Sequence, residues 1–262
     1  YHGDDGQKQL TFNLFSNYGA SWDPSGKKIL YTAITARGTR VFMQGFRPLR
    51  VKSVEVFFDE GTGSAAEWGS TGRVFISKYV NRSNTDIYEY YLDGEKIYGL
   101  PTPKLRESDR ITKNSAIETE PALSPDGRYL AFISDRTGSP QVYVRDMQRK
   151  KLTRITENGN YNVSPSWSPD GKFIAYASRR SGVSSIYRID PKSKEENRVT
   201  PKNMNAESPT WSPDGSMIAF SGKKRGDWKI YYSLSSGGQA VRLTNSKAGL
   251  QETMPSWGPS LR

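Results

Sequence analysis

Three stretches of this chain are near-copies of one another, and each contains the tetrapeptide Ser-Pro-Asp-Gly. They are EPALSPDGRYLAFISDRTG (120–138), SPSWSPDGKFIAYASRRSG (164–182) and SPTWSPDGSMIAFSGKKRG (208–226). The residue before the tetrapeptide is an anchor that recurs roughly every 45 residues, a period typical of propeller blades. The anchors are Trp22, Trp68, Leu123, Trp167, Trp211 and Trp257. The residues within each unit follow a pattern with a period of two, and Gly, Pro and Asp interrupt the runs. This pattern predicts short strands rather than helices.

Each repeat is interpreted as four strands, A to D. Strand A ends at the anchor, and SPDG makes a tight turn in which Pro fixes φ and Gly adopts a positive φ. In the second copy, IAYAS gives strand B, SIYRID gives strand C, and strand D ends in the pair Val199-Thr200. An isolated blade cannot bury both of its faces, so the units must close into a ring.

We therefore predict an all-β fold, a six-bladed β-propeller of four-stranded antiparallel blades, as a single domain over residues 1–262. The last unit contains only its strand A, in PSWGPSLR, and KQLTF near the start of the chain supplies a strand D. We expect Gln7–Phe12 and Thr253–Trp257 to lie in one incomplete sixth blade that both termini close, which avoids open sheet edges. Its two missing strands, and an N-terminal domain, are expected upstream of Tyr1 in a longer parent chain.

The composition excludes most catalytic chemistry. The chain has no cysteine and a single histidine, His2, near its start. Thiolate catalysis is therefore excluded, and a Ser-His-Asp triad or a multi-histidine metal site within the chain is nearly impossible. We predict no catalytic residue, no cofactor and no metal. Carboxylates around a channel mouth are only a weak signal for Ca²⁺, because no D-x-D-x-D-G loop is present.

The ends of the chain carry no targeting signal. No apolar run is long enough to span a bilayer, which needs about 18 residues or more. The first residues, YHGDDGQKQL, lack the basic and apolar regions of a signal peptide. Taken alone, they fit a cytosolic chain or a processed one.

The net charge of +11 points to an acidic partner only if the basic residues cluster. In a four-strand zigzag, the B–C loops and the D–A loops share one face, and the SPDG turns lie on the other. The B–C loops are strongly basic and include Arg136, Arg179, Arg180, Lys224 and Arg225, while the D–A loops carry several glutamates. This pattern indicates a partly acidic mouth inside a basic ring that can steer an acidic partner.

The repeat SPDG-IAF-S-x-R-x-G-IY-x-x-D-LT, with a chain that ends shortly after a P-x-W strand, resembles the propeller domain of the TolB family. The resemblance covers about residues 10–259 and implies a periplasmic, non-enzymatic protein of the Tol–Pal system. It also implies that the D–A loops contact a peptidoglycan-associated lipoprotein, Pal. The matching positions here are Tyr18, Gly19, Thr119, Glu120, Val163, Ser164, Glu207, Ser208, Glu252 and Thr253. Of these, Tyr18 is expected to be a binding hot spot.

Two alternatives remain open at this point. Similar repeats occur in the propellers of prolyl-oligopeptidase-like peptidases, whose catalytic domain would lie outside this chain. The basic face also suggests nucleic acid, but its loops offer little aromatic surface for base stacking beyond Trp228. We expect a monomer that binds a protein and binds no nucleic acid.

Overall fold

The computed structural model describes residues 16–45, 54–55, 62–69, 72–81, 83–93, 104–224, 226–247 and 249–259. Within them, twenty strands form five four-stranded antiparallel sheets, the blades. The strands of blades 1 and 2 are β1 (Ser16–Trp22), β2 (Lys28–Thr35), β3 (Gly38–Gly45), β4 (Val54–Glu55), β5 (Thr62–Trp68), β6 (Arg73–Asn81), β7 (Asn84–Asp93) and β8 (Lys104–Arg110). Those of blade 3 are β9 (Glu118–Leu123), β10 (Tyr129–Ser134), β11 (Gln141–Asp146) and β12 (Leu152–Arg154).

Blades 4 and 5 repeat the same pattern. Their strands are β13 (Tyr161–Trp167), β14 (Ile174–Arg180), β15 (Val183–Ile189), β16 (Glu196–Arg198), β17 (Asn205–Trp211), β18 (Met217–Lys224), β19 (Asp227–Leu234) and β20 (Val241–Arg242). In every blade the four strands pair in sequence order. The B–C turns and the loops leading into each strand A therefore share one face, here called the loop face, and the A–B turns lie on the opposite, turn face.

The core is a set of layers between neighbouring blades. The second strand of a blade is covered on both sides, so both faces of Ile174–Ser178 in β14 are buried. The anchors Trp68, Leu123, Trp167 and Trp211 pack into the layer shared with the preceding blade, and Trp211 belongs to one cluster with Ala175, Ala177 and Ile186. Burying one such apolar side chain contributes about 2 kcal/mol. The repeated anchor is thus explained as core.

The predicted SPDG turns are confirmed. In the turn after β13, the Ser168 hydroxyl donates to the Asp170 carboxylate (2.7 Å) and accepts from the backbone N–H of Phe173 (2.9 Å). Gly171 has a φ of 69°, a value that glycine adopts without steric penalty. The turns at Ser124 and Ser212 repeat these bonds.

The prediction of six blades is wrong, because the described residues form five four-stranded sheets. The N-terminal half of the expected sixth blade, Gln7–Phe12, lies outside the described residues. Its other half, Thr253–Trp257, forms no strand. Two of its backbone N–H groups bond to side chains instead of a neighbouring strand: Met254 to the Ser221 hydroxyl (2.8 Å) and Trp257 to the Thr210 hydroxyl (3.2 Å).

Candidate partner-binding face

The first strands of the blades and the segment 254–259 surround a central cavity of about 570 Å³. Its wall contains five of the six anchors (all but Trp68), the prolines near them and small polar residues. Five of the sequence-predicted contact residues lie in this wall: Tyr18, Gly19, Glu120, Ser164 and Ser208. The structure therefore brings half of the predicted D–A positions together at one mouth.

The mouth is shaped by a bulge repeated in the first strands. The residue three positions before the anchor has a positive φ at Gly19 (62°), Glu120 (51°), Ser164 (54°), Ser208 (54°) and Met254 (55°), and the pairing register of each of the four strands among these shifts there. A positive φ in a residue other than glycine costs on the order of 1 kcal/mol. Bulges of this kind re-aim side chains at the rims of sheets, and here they set the geometry of the mouth.

The remaining predicted D–A residues do not line the cavity. Each lies one or two positions in sequence from a residue that does. Thr119 and Glu207 are half-buried, and Thr253 is exposed. Val163 packs against the core layer between blades 4 and 5. The Glu252 carboxylate accepts a hydrogen bond from the Thr244 hydroxyl (2.6 Å), so it fixes its own loop.

Glu120 connects two blades at the mouth. Its carboxylate accepts a hydrogen bond from the backbone N–H of Ser164 (2.7 Å) in the next blade. Burial raises the pKa of Glu120, the nearby Glu207 adds to the rise, and the hydrogen bonds from Ser164 oppose it. Tyr18 is also engaged within the fold, because its side chain bonds to Thr39, and burial raises its pKa. Both residues therefore have a structural role in addition to their place at the mouth.

Sequence reasoning missed Glu67, which lines the cavity together with Glu120 and Asp23. Burial raises its pKa to about 7, against the opposing effect of a hydrogen bond with Ser21 of the neighbouring blade. A comparison of the repeats distinguishes Glu67 from the equivalent residues of the other units. The residue before the anchor is Ser, Ala or Thr in the other units, and only in the second unit is it charged.

Two of the predicted basic contacts are structural. The guanidinium of Arg136 forms an ion pair with buried Glu118 and lies 5.0 Å from the Tyr143 ring centre. Arg180 pairs with Glu196 (2.7 Å) and stacks 3.7 Å from the ring centre of Tyr187. Such ion-paired and stacked guanidinium groups hold a blade together.

Of the other three predicted basic contacts, two are exposed and one lies outside the described residues. Arg179 is exposed and covers the ring of Tyr161 at 5.2 Å. Lys224 is exposed at the end of β18, and Arg225 lies outside the described residues. Arg179 and Lys224 are therefore the predicted cations that are exposed and form no ion pair among the described residues.

The loop after blade 5 is organised by a buried lysine that sequence reasoning also missed. Lys229 is 4% exposed. Its ammonium group donates to the Ser246 hydroxyl (2.5 Å) and to the carbonyl oxygens of Lys247 (3.2 Å) and Leu250 (2.7 Å). A buried ammonium is tolerated when its donors are satisfied in this way. Lys229 therefore fixes the loop that carries Leu250 on the loop face.

Across the part of the chain that the structure describes, no three Asp, Glu or His side chains come together as a metal site. In the same residues, no helix has the length and apolarity that crossing a bilayer requires.

Five blades arranged around a central cavity define a β-propeller. The chain belongs to the TolB beta propeller domain family, whose model matches residues 4–261. The predicted resemblance is thereby confirmed.

Individual relatives match only part of their own length. A "Protein TolB homolog" of Chlorobium luteolum is 31% identical over 139 residues, which are 53% of this chain and 28% of the relative. The Tol-Pal system protein TolB of Bordetella pertussis is 56% identical over 34 residues, 13% of this chain and 8% of the relative. The crystal structure of TolB from Acinetobacter baumannii superposes with a TM-score of 0.80 at 23% identity, covering 98% of this chain and 61% of that one. The last likeness concerns the fold alone.

Proposed function

We propose that this chain is a non-enzymatic, protein-binding propeller of the Tol–Pal system in the periplasm, whose loop face receives a Pal-like lipoprotein. The family membership and the Tol-Pal name of the Bordetella relative support the choice of system. The observation that carries the choice of face is the distribution of exposed apolar side chains.

Eleven large apolar side chains are exposed among the described residues, and seven of them lie on the loop face. These seven are Ile34, Tyr79, Val80, Ile117, Tyr161, Leu250 and Met254. They lie near the end of a blade's second strand, at the start of a first strand, or in the loops between blades. The turn face exposes Tyr91 and Leu234 at strand ends, and the other two, Val241 and Leu243, lie in and next to the edge strand β20. Apolar groups that gather on one face of a soluble domain are typical of a protein-binding surface.

The chemistry of the chain supports binding rather than catalysis. The chain has no cysteine and a sole histidine, so a histidine base that activates a serine could come only from His2. The cavity carboxyl groups of Glu67 and Glu120 bond to Ser21 and Ser164, respectively, and these bonds join blades.

Calorimetric titration with the soluble domain of the peptidoglycan-associated lipoprotein from the same organism tests the proposal. We expect the double variant Tyr79→Ser, Ile117→Ser to weaken binding at least tenfold. The matched control is Tyr91→Ser, Leu234→Ser, which removes equally exposed side chains from the turn face and should leave affinity unchanged. The proposal fails if the lipoprotein does not bind, or if the control pair weakens binding and the first pair does not.

A further inference from the structure

The loop face is divided into two chemically different arcs. One arc runs from the end of the chain through blades 1 and 2 to the entry of blade 3, and exposes large apolar side chains. This apolar arc consists of Leu250, Met254, Ile34, Tyr79, Val80 and Ile117. On the same face, the described residues of blades 4 and 5 expose one large apolar side chain, Tyr161, and its aromatic ring lies under Arg179.

The second arc is cationic. It consists of Arg179 at the end of β14, Lys202 in the connection to blade 5, and Lys223 and Lys224 at the end of β18. All four side chains are exposed, and none takes part in an ion pair among the described residues. Across the sheet, Lys223 pairs in register with Asn205, next to the loop that holds Lys202. These cations therefore lie on adjoining blades.

The acidic side chains near the cationic arc either form hydrogen bonds or ion pairs within the fold, or lie at the mouth. Asp227 accepts hydrogen bonds from the backbone N–H of Gly249 (3.0 Å) and the amide of Gln251 (3.1 Å). Glu157 pairs with Lys194 (2.5 Å). Glu207 is half-buried at the mouth. The apolar arc, by comparison, has three exposed cations beside it among the described residues, Arg37, Lys113 and Lys247. These three lie in three separate loops, whereas the four cations of blades 4 and 5 form one arc.

We infer that the partner binds in one fixed orientation, with an acidic patch over the cationic arc and an adjoining apolar patch over the apolar arc. The inference rests on the proposed function, because it assumes that the loop face is the binding face. Exposed charges at a rim raise the association rate and make it depend on salt, whereas buried apolar contacts set the dissociation rate. The two arcs therefore have separable kinetic signatures.

Association and dissociation rates of the same lipoprotein domain, measured between low and high salt, test the inference. We expect Lys223→Glu, Lys224→Glu to lower the association rate about tenfold at low salt and to flatten its salt dependence. The control Lys27→Glu, Lys172→Glu changes net charge equally but lies in turns of the opposite face, and should have a small effect. Val80→Ser should raise the dissociation rate and leave the salt dependence unchanged.

The outcomes distinguish the two proposals. A control pair that slows association as much as the Lys223, Lys224 pair would show a net-charge effect and overturn the cationic arc. If Val80→Ser speeds dissociation while the Lys223, Lys224 pair changes nothing, the inference is wrong and the proposed face stands. If neither variant changes either rate, the proposed face itself is wrong.

Discussion

The indole nitrogen of Trp22 donates a hydrogen bond to the carbonyl oxygen of Ser256, 234 positions away in sequence (3.2 Å). The same bond recurs inside the ring, from Trp167 to Ala122 (3.0 Å) and from Trp211 to Ser166 (2.9 Å). In each case the acceptor is the residue just before the preceding anchor. The segment around Ser256 therefore meets blade 1 in the way that one blade meets the next, and it joins the two ends of the described chain.

The first prediction concerns this closure. Trp22→Phe removes the indole N–H and leaves the Ser256 carbonyl without its donor, so we expect the free energy of unfolding to fall by about 1 to 2 kcal/mol. Chemical denaturation measures it. Trp211→Phe, which removes the equivalent bond within the ring, is the matched control and should cost a similar amount. An unchanged stability in Trp22→Phe beside a destabilised Trp211→Phe would contradict a closing role for the C-terminal segment.

A second prediction concerns Gly258, which lies against the same indole. A Cβ atom at this position would meet three Trp22 ring atoms at 2.9, 3.1 and 3.2 Å. We expect Gly258→Ala to destabilise the protein by about 1 to 3 kcal/mol, the usual range for overpacking. A double-mutant cycle with Trp22→Leu tests the cause, since the smaller side chain relieves the clash. Additive losses would show that Gly258 acts elsewhere.

The third prediction concerns the SPDG turns. Ser168→Ala removes a buried hydroxyl that donates to Asp170 and accepts from Phe173 N–H. We expect a loss of about 1 to 2 kcal/mol, because the Phe173 N–H then lacks its partner, with no change in affinity for the lipoprotein domain. Thermal unfolding and titration calorimetry measure the two quantities. A loss of affinity at unchanged stability would mean that the turn face binds the partner.

The turns and hairpins could be predicted because their signals are local and repeated, as in the SPDG segments. The blade count could not, because an anchor such as Trp257 marks a position in the ring whether or not strands B and C follow it. The sequence also placed Arg136 and Arg180 among the contacts. Their partners, Glu118 and Glu196, lie 18 and 16 positions away, and no motif connects them.

Side chains that act between blades escape sequence reasoning for the same reason. The bond from Ser164 N–H to Glu120 spans 44 positions, and its geometry depends on the bulge at each residue. The bulges themselves had a visible trace. A proline follows the residue with positive φ at Glu120, Ser164, Ser208 and Met254, so the recurring X-Pro before the anchor predicts a mouth of constant shape.

The fourth prediction concerns Lys229 and its loop. Lys229→Met keeps the length of the stem but leaves the Leu250 and Lys247 carbonyl oxygens without their donor. We expect the loop 245–252 to open locally, so that trypsin cleaves after Lys247 at least tenfold faster than in the unchanged chain. Lys223→Met removes an exposed lysine and is the control, with no expected effect on that cleavage. Equal cleavage rates in the Lys229→Met and Lys223→Met variants would show that Lys229 does not fix this loop.

The last prediction concerns pH and Glu67. Its pKa is raised from 4.5 to about 7 by burial, so the folded chain binds a proton more tightly than the unfolded chain does. The contribution to stability is therefore complete below pH 4.5 and is lost as pH rises through about 7. The loss is at most about 3.5 kcal/mol, since one pKa unit corresponds to roughly 1.4 kcal/mol. Glu67→Gln keeps a neutral group beside Ser21 and removes the titration. We expect the variant and the unchanged chain to have similar unfolding free energies near pH 5 and the variant to be the more stable one near pH 8, as measured by denaturant titration. A difference between them that does not vary with pH would show that Glu67 does not titrate in this range.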